Sequence, residues 1–235
     1  AEAQRRRLRD HRDRLAAGLT LGIAGAWAVF GLAFAFDIGK LRHAYFQVLA
    51  GAPQERFTSW AELLAKARTL PAADKLARVN DFFNDRLRFV DDMELWGKSD
   101  YWATPMQTLA RGAGDCEDFA IAKYFTLLSL GVPVDRLRLI YVRARLDGPV
   151  GPYRSGLQAH MVLAYYPNSD ADPLVLDNLA RDIVPASRRP NLLPVFTFNS
   201  ERIYQAGGAG KASGNISQLS RWQDALARAR NEGFD

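Results

Sequence analysis

The chain's single cysteine, Cys116, lies in Gly112-Ala113-Gly114-Asp115-Cys116-Glu117-Asp118-Phe119, after a glycine turn and at the head of an apolar run. One cysteine excludes an intrachain disulfide and the paired-cysteine zinc ribbons, which leaves an inert buried thiol or a reacting one. Position favours the second, because free N–H groups and the positive dipole end at a helix N-terminus push a thiol toward thiolate. A thiolate that attacks a carbonyl needs an imidazole to take up and return a proton. His11 and His43 lie near the start of the chain, and His160 lies in Gln158-Ala159-His160-Met161-Val162-Leu163. Period-two alternation reads that stretch as a strand with His160, Gln158 and Val162 on one face. His160 is then the candidate base, against the alternative of a satisfied core histidine. The group that orients the imidazole is expected to be Asp177, at the end of the next strand in Val175-Leu176-Asp177-Asn178. Neighbouring strands lie about 4.8 Å apart, within reach of such a pair. Asp172 and Asp182 fall in turns and are weaker choices.

Three acids, Asp115, Glu117 and Asp118, flank the sulfur and oppose its ionisation. A hard cation taking oxygen ligands, of which Ca²⁺ is the natural choice, would offset them and fix the turn. The alternative is that they only cap the helix, whose N-terminus welcomes carboxylates. The twelve-residue loop of an EF-hand is missing.

Several elements must hold these groups. Ser59–Leu70 reads as a helix with Ser59 as N-cap and Glu62 completing a capping box, stopped by Pro71. Ala72–Phe89 follows with an apolar face, Asp91–Tyr101 as a loop, and Thr104 and Pro105 as cap and first turn of a short helix to Ala110. Cys116–Leu130 is the best-marked helix, ended by Gly131-Val132-Pro133. Leu137–Leu146, Gln158–Tyr166, Leu174–Leu179 and Val195–Asn199 are rich in β-branched and aromatic residues and read as strands. Gly207–Gly214 reads as a flexible loop and Gln218–Arg230 as a closing helix. Helices first and strands afterwards predict an α+β domain.

Leu15–Phe36 is uncharged and almost wholly apolar, and follows Arg5, Arg6, Arg7, Arg9, Arg12 and Arg14. A basic stretch, an apolar run and small residues at Ala33 and Ala35 are the pattern of a secretory signal, while about 22 residues also suffice for a membrane anchor. Either predicts an exported domain. The division expected is therefore 1–36 signal peptide or anchor, 37–58 connector, and 59–235 the folded domain. Of the formal charge of +5, six arginines against three acids in residues 1–14 account for +3 and the remainder for +2. No cationic stripe with interleaved aromatics marks a nucleic-acid binder. Arg181, Arg188 and Arg189 read as solvated surface charge, with a docking patch as the alternative.

Tyr101-Trp102-Ala103-Thr104-Pro105, Gly114-Asp115-Cys116-Glu117-Asp118-Phe119-Ala120-Ile121-Ala122-Lys123-Tyr124, Ala159-His160-Met161-Val162-Leu163 and Leu176-Asp177-Asn178 together resemble the bacterial transglutaminase-like cysteine proteinases of the LapG type. The resemblance implies a papain- or transglutaminase-like core with N-terminal helices packed on an antiparallel sheet. It also implies a Cys116-His160-Asp177 triad and Ca²⁺ held near Asp115, Glu117 and Asp118. Members of that family are periplasmic, cleave the N-terminal region of large surface adhesins near paired alanines, and so disperse biofilm. They are restrained by an inner-membrane receptor that responds to cyclic-di-GMP. The competing readings are a transglutaminase that resolves the same thioester with an amine, and a calcium-dependent binding module with an idle thiol.

Overall fold

The computed structural model describes residues 36–148, 155–205 and 212–235, so the expected signal or anchor lies almost wholly outside the described residues. Among the described residues no helix is long and apolar enough to cross a membrane.

The helices come first. They are α1 (Ile38–Val48), α2 (Gln54–Ala67), α3 (Ala72–Arg86), α4 (Asp92–Trp96), α5 (Pro105–Arg111) and α6 (Cys116–Ser129), with α7 (Ser220–Glu232) closing the chain. Two short strands, β1 (Arg88–Phe89) and β2 (Ala113–Gly114), pair in parallel between them. Strands β3 (Leu137–Leu146), β4 (Gly156–Tyr165), β5 (Leu174–Leu176), β6 (Val184–Pro185), β7 (Leu192–Phe198), β8 (Arg202–Gln205) and β9 (Ala212–Asn215) form one antiparallel sheet, in the order β6-β5-β4-β3-β7-β8-β9. This is the α+β arrangement the sequence predicts.

Helix α6 sits at the centre, against β3 and β4 on one side and α3 and α5 on the other. Every residue of it except Glu117 is buried, as expected of a helix apolar on all sides. Trp222 of α7 lies at 0% exposure with its ring 5.4 Å from that of Phe198 and 5.8 Å from that of Tyr124. Its indole N–H donates to the Asn199 carbonyl at 2.9 Å, so the one polar atom of a large buried ring is satisfied.

The sheet face toward α6 is built in cross-strand rows. Leu139 stands opposite Leu163 and Phe198, and all three are buried under the helix. Tyr141 stands opposite Met161 and Phe196 in the next row, and all three line a cavity with Cys116 at the start of the helix. The other face carries a second cluster of Ile140, Val142, Val162, Ala164 and Val175. Burial on both faces explains why these strands read as nearly continuous apolar runs.

The structure corrects the sequence reading in five places. The stretch 37–58 expected as a connector holds α1 and the start of α2, with Leu41, Tyr45 and Phe57 buried. Helix α2 starts at Gln54 after Pro53, so Ser59 lies inside it and caps nothing, and Glu62 pairs with Lys66 at 2.8 Å. Strand β5 stops at Leu176, because the Asp177 carboxylate accepts the Leu179 N–H at 2.9 Å and turns the chain. The loop 91–101 contains α4, capped by Asp91. Of the expected loop Gly207–Gly214, residues 212–214 belong to β9 and the rest lies outside the described residues. The cap at Thr104 and Pro105 is as expected, with Thr104 and Gln107 forming a reciprocal capping box.

Candidate active site

Cys116 is the first residue of α6, with Asp115 at the N-cap and an exposure of 7%. It lines a cavity of about 530 Å³ together with Glu117, His160, Tyr141, Met161 and Trp102. Asp100 and Arg221 also line it and form an ion pair at 3.1 Å. The Cys116 Sγ donates to Glu117 Oε2 at 2.8 Å.

Strand β4 carries His160 into the same cavity at 1% exposure. Its Nε2 lies 2.8 Å from Asp177 Oδ1, so proton exchange with a sulfur would fall to Nδ1. Asp177 is buried at 1% exposure just past the end of β5. Its other oxygen, Oδ2, accepts from Arg189 Nη2 at 2.7 Å, and Asn84 Nδ2 donates to its carbonyl at 2.8 Å. Burial alone would raise this carboxyl, but the His160 bond and charge, the Leu179 N–H and the Arg189 guanidinium outweigh it and hold the group well below the usual range. A depressed folded pKa contributes stability above the ordinary value of 3.8, and that contribution is lost as pH falls through the folded value. Exposed His43 on α1 takes no part, and His11 lies outside the described residues.

Arg189 thus leaves the set of surface arginines considered from sequence, whereas Arg181 remains exposed in a pair with Asp85 at 3.1 Å. Substituting Arg189→Gln is expected to lower kcat about tenfold or more with little change in KM. The acid limb of the pH profile should move to higher pH, because Asp177 loses a charge that keeps it ionised. Arg189→Lys should restore the charge but not the geometry, and recover part of the rate. A pH–rate profile of both variants checks this.

The parallel pairing of β1 with β2 sets α4 beside the cysteine turn and brings Asp92 against Asp115 and Asp118, with carboxylate oxygens within 4.8 Å of one another. Asp92 Oδ2 accepts the Tyr101 N–H and Asp118 Oδ1 the Ala103 N–H, the latter at 2.7 Å. Asp92 Oδ1, Asp115 Oδ1 and Asp118 Oδ2 are buried and have no hydrogen-bond partner among the described residues. Burial first, then the neighbouring acids, pushes Asp92 up to about 6 and raises Asp115 and Asp118 well above the usual range. Buried acceptors without donors, converging in one place, fit a hard divalent cation. Glu117 stands at the edge of this group, within 4.8 Å of Asp92 and Asp100 on one side and of Asp115 and Cys116 on the other. Sequence reasoning missed Asp92 and Asp100, whose only local signal was the acidic pair Asp91-Asp92.

Gly114 completes the cradle. A Cβ there would lie 2.6 Å from Asp118 Cβ and 2.7 Å from its Oδ2. The Gly114→Ala chain is expected to displace Asp118, weaken divalent-cation binding about tenfold or more, and cost about 1–3 kcal/mol of stability. Calcium titration followed by thermal melting measures both.

The chain belongs to the bacterial transglutaminase-like cysteine proteinase family, whose profile matches residues 54–191. Among solved structures it is similar to LapG of Legionella pneumophila. The EGTA-treated form is 36% identical over 84% of this chain and 100% of that one, with a TM-score of 0.69. The calcium-bound form of the same protein is 37% identical over 82% and 98% of the two chains, with a TM-score of 0.67. No curated protein sequence matches the chain.

Proposed function

We propose that the protein is a calcium-dependent cysteine endopeptidase in which Cys116 is the nucleophile, His160 the general base and acid, and Asp177 the group that orients the imidazole. The observation that carries this is His160, which lines one cavity with Cys116 and is held at 2.8 Å by the buried Asp177 carboxylate behind it. His160 Nδ1 takes the thiol proton as sulfur attacks a peptide carbonyl, and a backbone N–H at the head of α6 supports the oxyanion. The proton passes to the leaving amine, the C-terminal fragment departs, and water, activated by the same imidazole, hydrolyses the thioester. Throughout, Asp177 holds the Nε2 proton and stabilises the imidazolium.

Asp92, Asp115 and Asp118 would hold the calcium ion, with Glu117 at its edge. A bound cation would neutralise these acids and give the Glu117 carboxylate a partner other than the sulfur. Calcium-bound and EGTA-treated LapG structures from Legionella pneumophila support the assignment of metal.

The substrate proposed is the N-terminal region of a large surface adhesin, whose release disperses biofilm, with restraint by an inner-membrane cyclic-di-GMP receptor. The arginine cluster and apolar run of residues 5–36 support export to the periplasm, by signal peptide or anchor. Incubation with an adhesin N-terminal fragment and a labelled primary amine tests the reaction class. Chain cleavage that stops with chelator supports an endopeptidase; amine incorporation without cleavage would instead show a transglutaminase.

A further inference from the structure

The rows of the central sheet do not stop at the cleft. Beyond Tyr141, Met161 and Phe196, which line the cavity, Arg143 stands opposite Ala159 and Leu193, and Arg145 opposite Leu157. All five residues are exposed, Leu157 at 44% and Leu193 at 39%. Tyr141, Arg143 and Arg145 alternate with buried Val142 and Ala144, so they share the face that forms the cleft floor. Neither arginine has an ion pair among the described residues. An antiparallel sheet whose exposed face mixes leucines with two unpaired guanidinium groups, continuous with a nucleophile's cleft, is a surface for an anionic chain with apolar side chains.

We propose, on the endopeptidase reading above, that this shelf binds an acidic segment of the polypeptide substrate flanking the scissile bond. Strand residues two apart are separated by about 7 Å, the spacing at which alternate side chains of an extended peptide point the same way. Acids at alternate substrate positions therefore meet Arg143 and Arg145 in turn, while the residues beside them lie on Leu157 and Leu193. Two cations are too few for an anionic membrane surface, where clusters of about four to eight are usual. Arg143 and Arg145 are thus specificity-determining residues, remote from the bond that breaks.

The test uses fluorescein-labelled peptides with a central Ala-Ala pair and either aspartates or asparagines at the second and fourth positions on each side. Binding to the Cys116→Ala chain is read by fluorescence anisotropy. The aspartate peptide is expected to bind about tenfold more tightly at low ionic strength, since each exposed arginine–carboxylate contact contributes a few-fold. That preference should vanish in about 0.5 M salt and in an R143Q/R145Q variant with an unchanged melting temperature. Equal binding of the two peptides, no binding of either, or a preference that survives in the double variant overturns the proposal. Cleavage of the same peptides by the unaltered chain reads the endopeptidase assignment separately. An acid preference without cleavage would refute that assignment and leave the shelf standing; cleavage with no acid preference would do the reverse.

Discussion

Replacing Cys116 by alanine is expected to remove proteolysis altogether, lowering kcat/KM by at least about 10³-fold while the fold persists. The magnitude follows from what is lost: without the sulfur no covalent intermediate forms, and cavity binding and backbone donors alone remain. The side chain is small and sits at the cavity wall with 7% exposure, so truncation opens little new space in the core. His160→Ala should cost nearly as much, since the two act as one unit, and the double variant should be scarcely worse than either single one. Asp177→Asn tests orientation: an amide at 2.8 Å can present N–H to Nε2, reverse the tautomer and turn Nδ1 into a donor. Rates for the four variants, with melting temperatures as controls, decide the matter. Independent, additive losses would contradict a shared proton path.

The second large effect concerns Asp92. Asp92→Asn keeps an acceptor for the Tyr101 N–H but removes one of three clustered acidic charges. Calcium affinity is expected to fall about 100-fold or more, and activity at limiting calcium with it. The metal-free chain should move the other way. Burial and neighbouring acids raise the folded Asp92 pKa from 3.8 to about 6, so its contribution to stability is present below 3.8 and lost as pH rises through about 6. At neutral pH the ionised carboxylate then opposes folding by about 2–3 kcal/mol. Removing it stabilises the chelator-treated protein above pH about 6 while abolishing stabilisation by calcium. Thermal melts across pH, with and without chelator, read both signs. A variant less stable than the parent without metal at neutral pH would refute the account of the acid cluster.

The residues at the centre of the site were legible because their signals are local. Gly114-Asp115-Cys116 before an apolar run bounded by Gly131 and Pro133 marks α6, and one histidine in a strand-like stretch narrows the search for a base. Strand β3 runs over Leu137–Leu146, as its β-branched and aromatic content predicts. Asp92 was not legible, because it is carried to Asp115 and Asp118 by the pairing of two-residue strands 25 positions apart, Arg88 with Ala113 and Phe89 with Gly114. Nothing local to either strand announces the other. Arg189 was hidden for a related reason: it follows a 3₁₀ turn after β6, and only the closing of that turn puts its guanidinium on Asp177. Helix α1 escaped notice because its buried side, Leu41 and Tyr45, is interrupted by charged and polar residues too often to show a clear period. Local chemistry singled out Cys116 and His160; Asp92 and Arg189 reach their places near them through contacts made only on folding.

On the proposed mechanism, the His160 imidazole keeps the Cys116 sulfur reactive. The most direct measurement is the rate of Cys116 alkylation by iodoacetamide against pH, in saturating calcium, for the unaltered chain and for His160→Ala. Rapid labelling is expected to persist well below the ordinary thiol pKa of about 8.5 in the unaltered chain and to disappear below it in the variant. Identical profiles for both chains, rising only near that ordinary value, would contradict it.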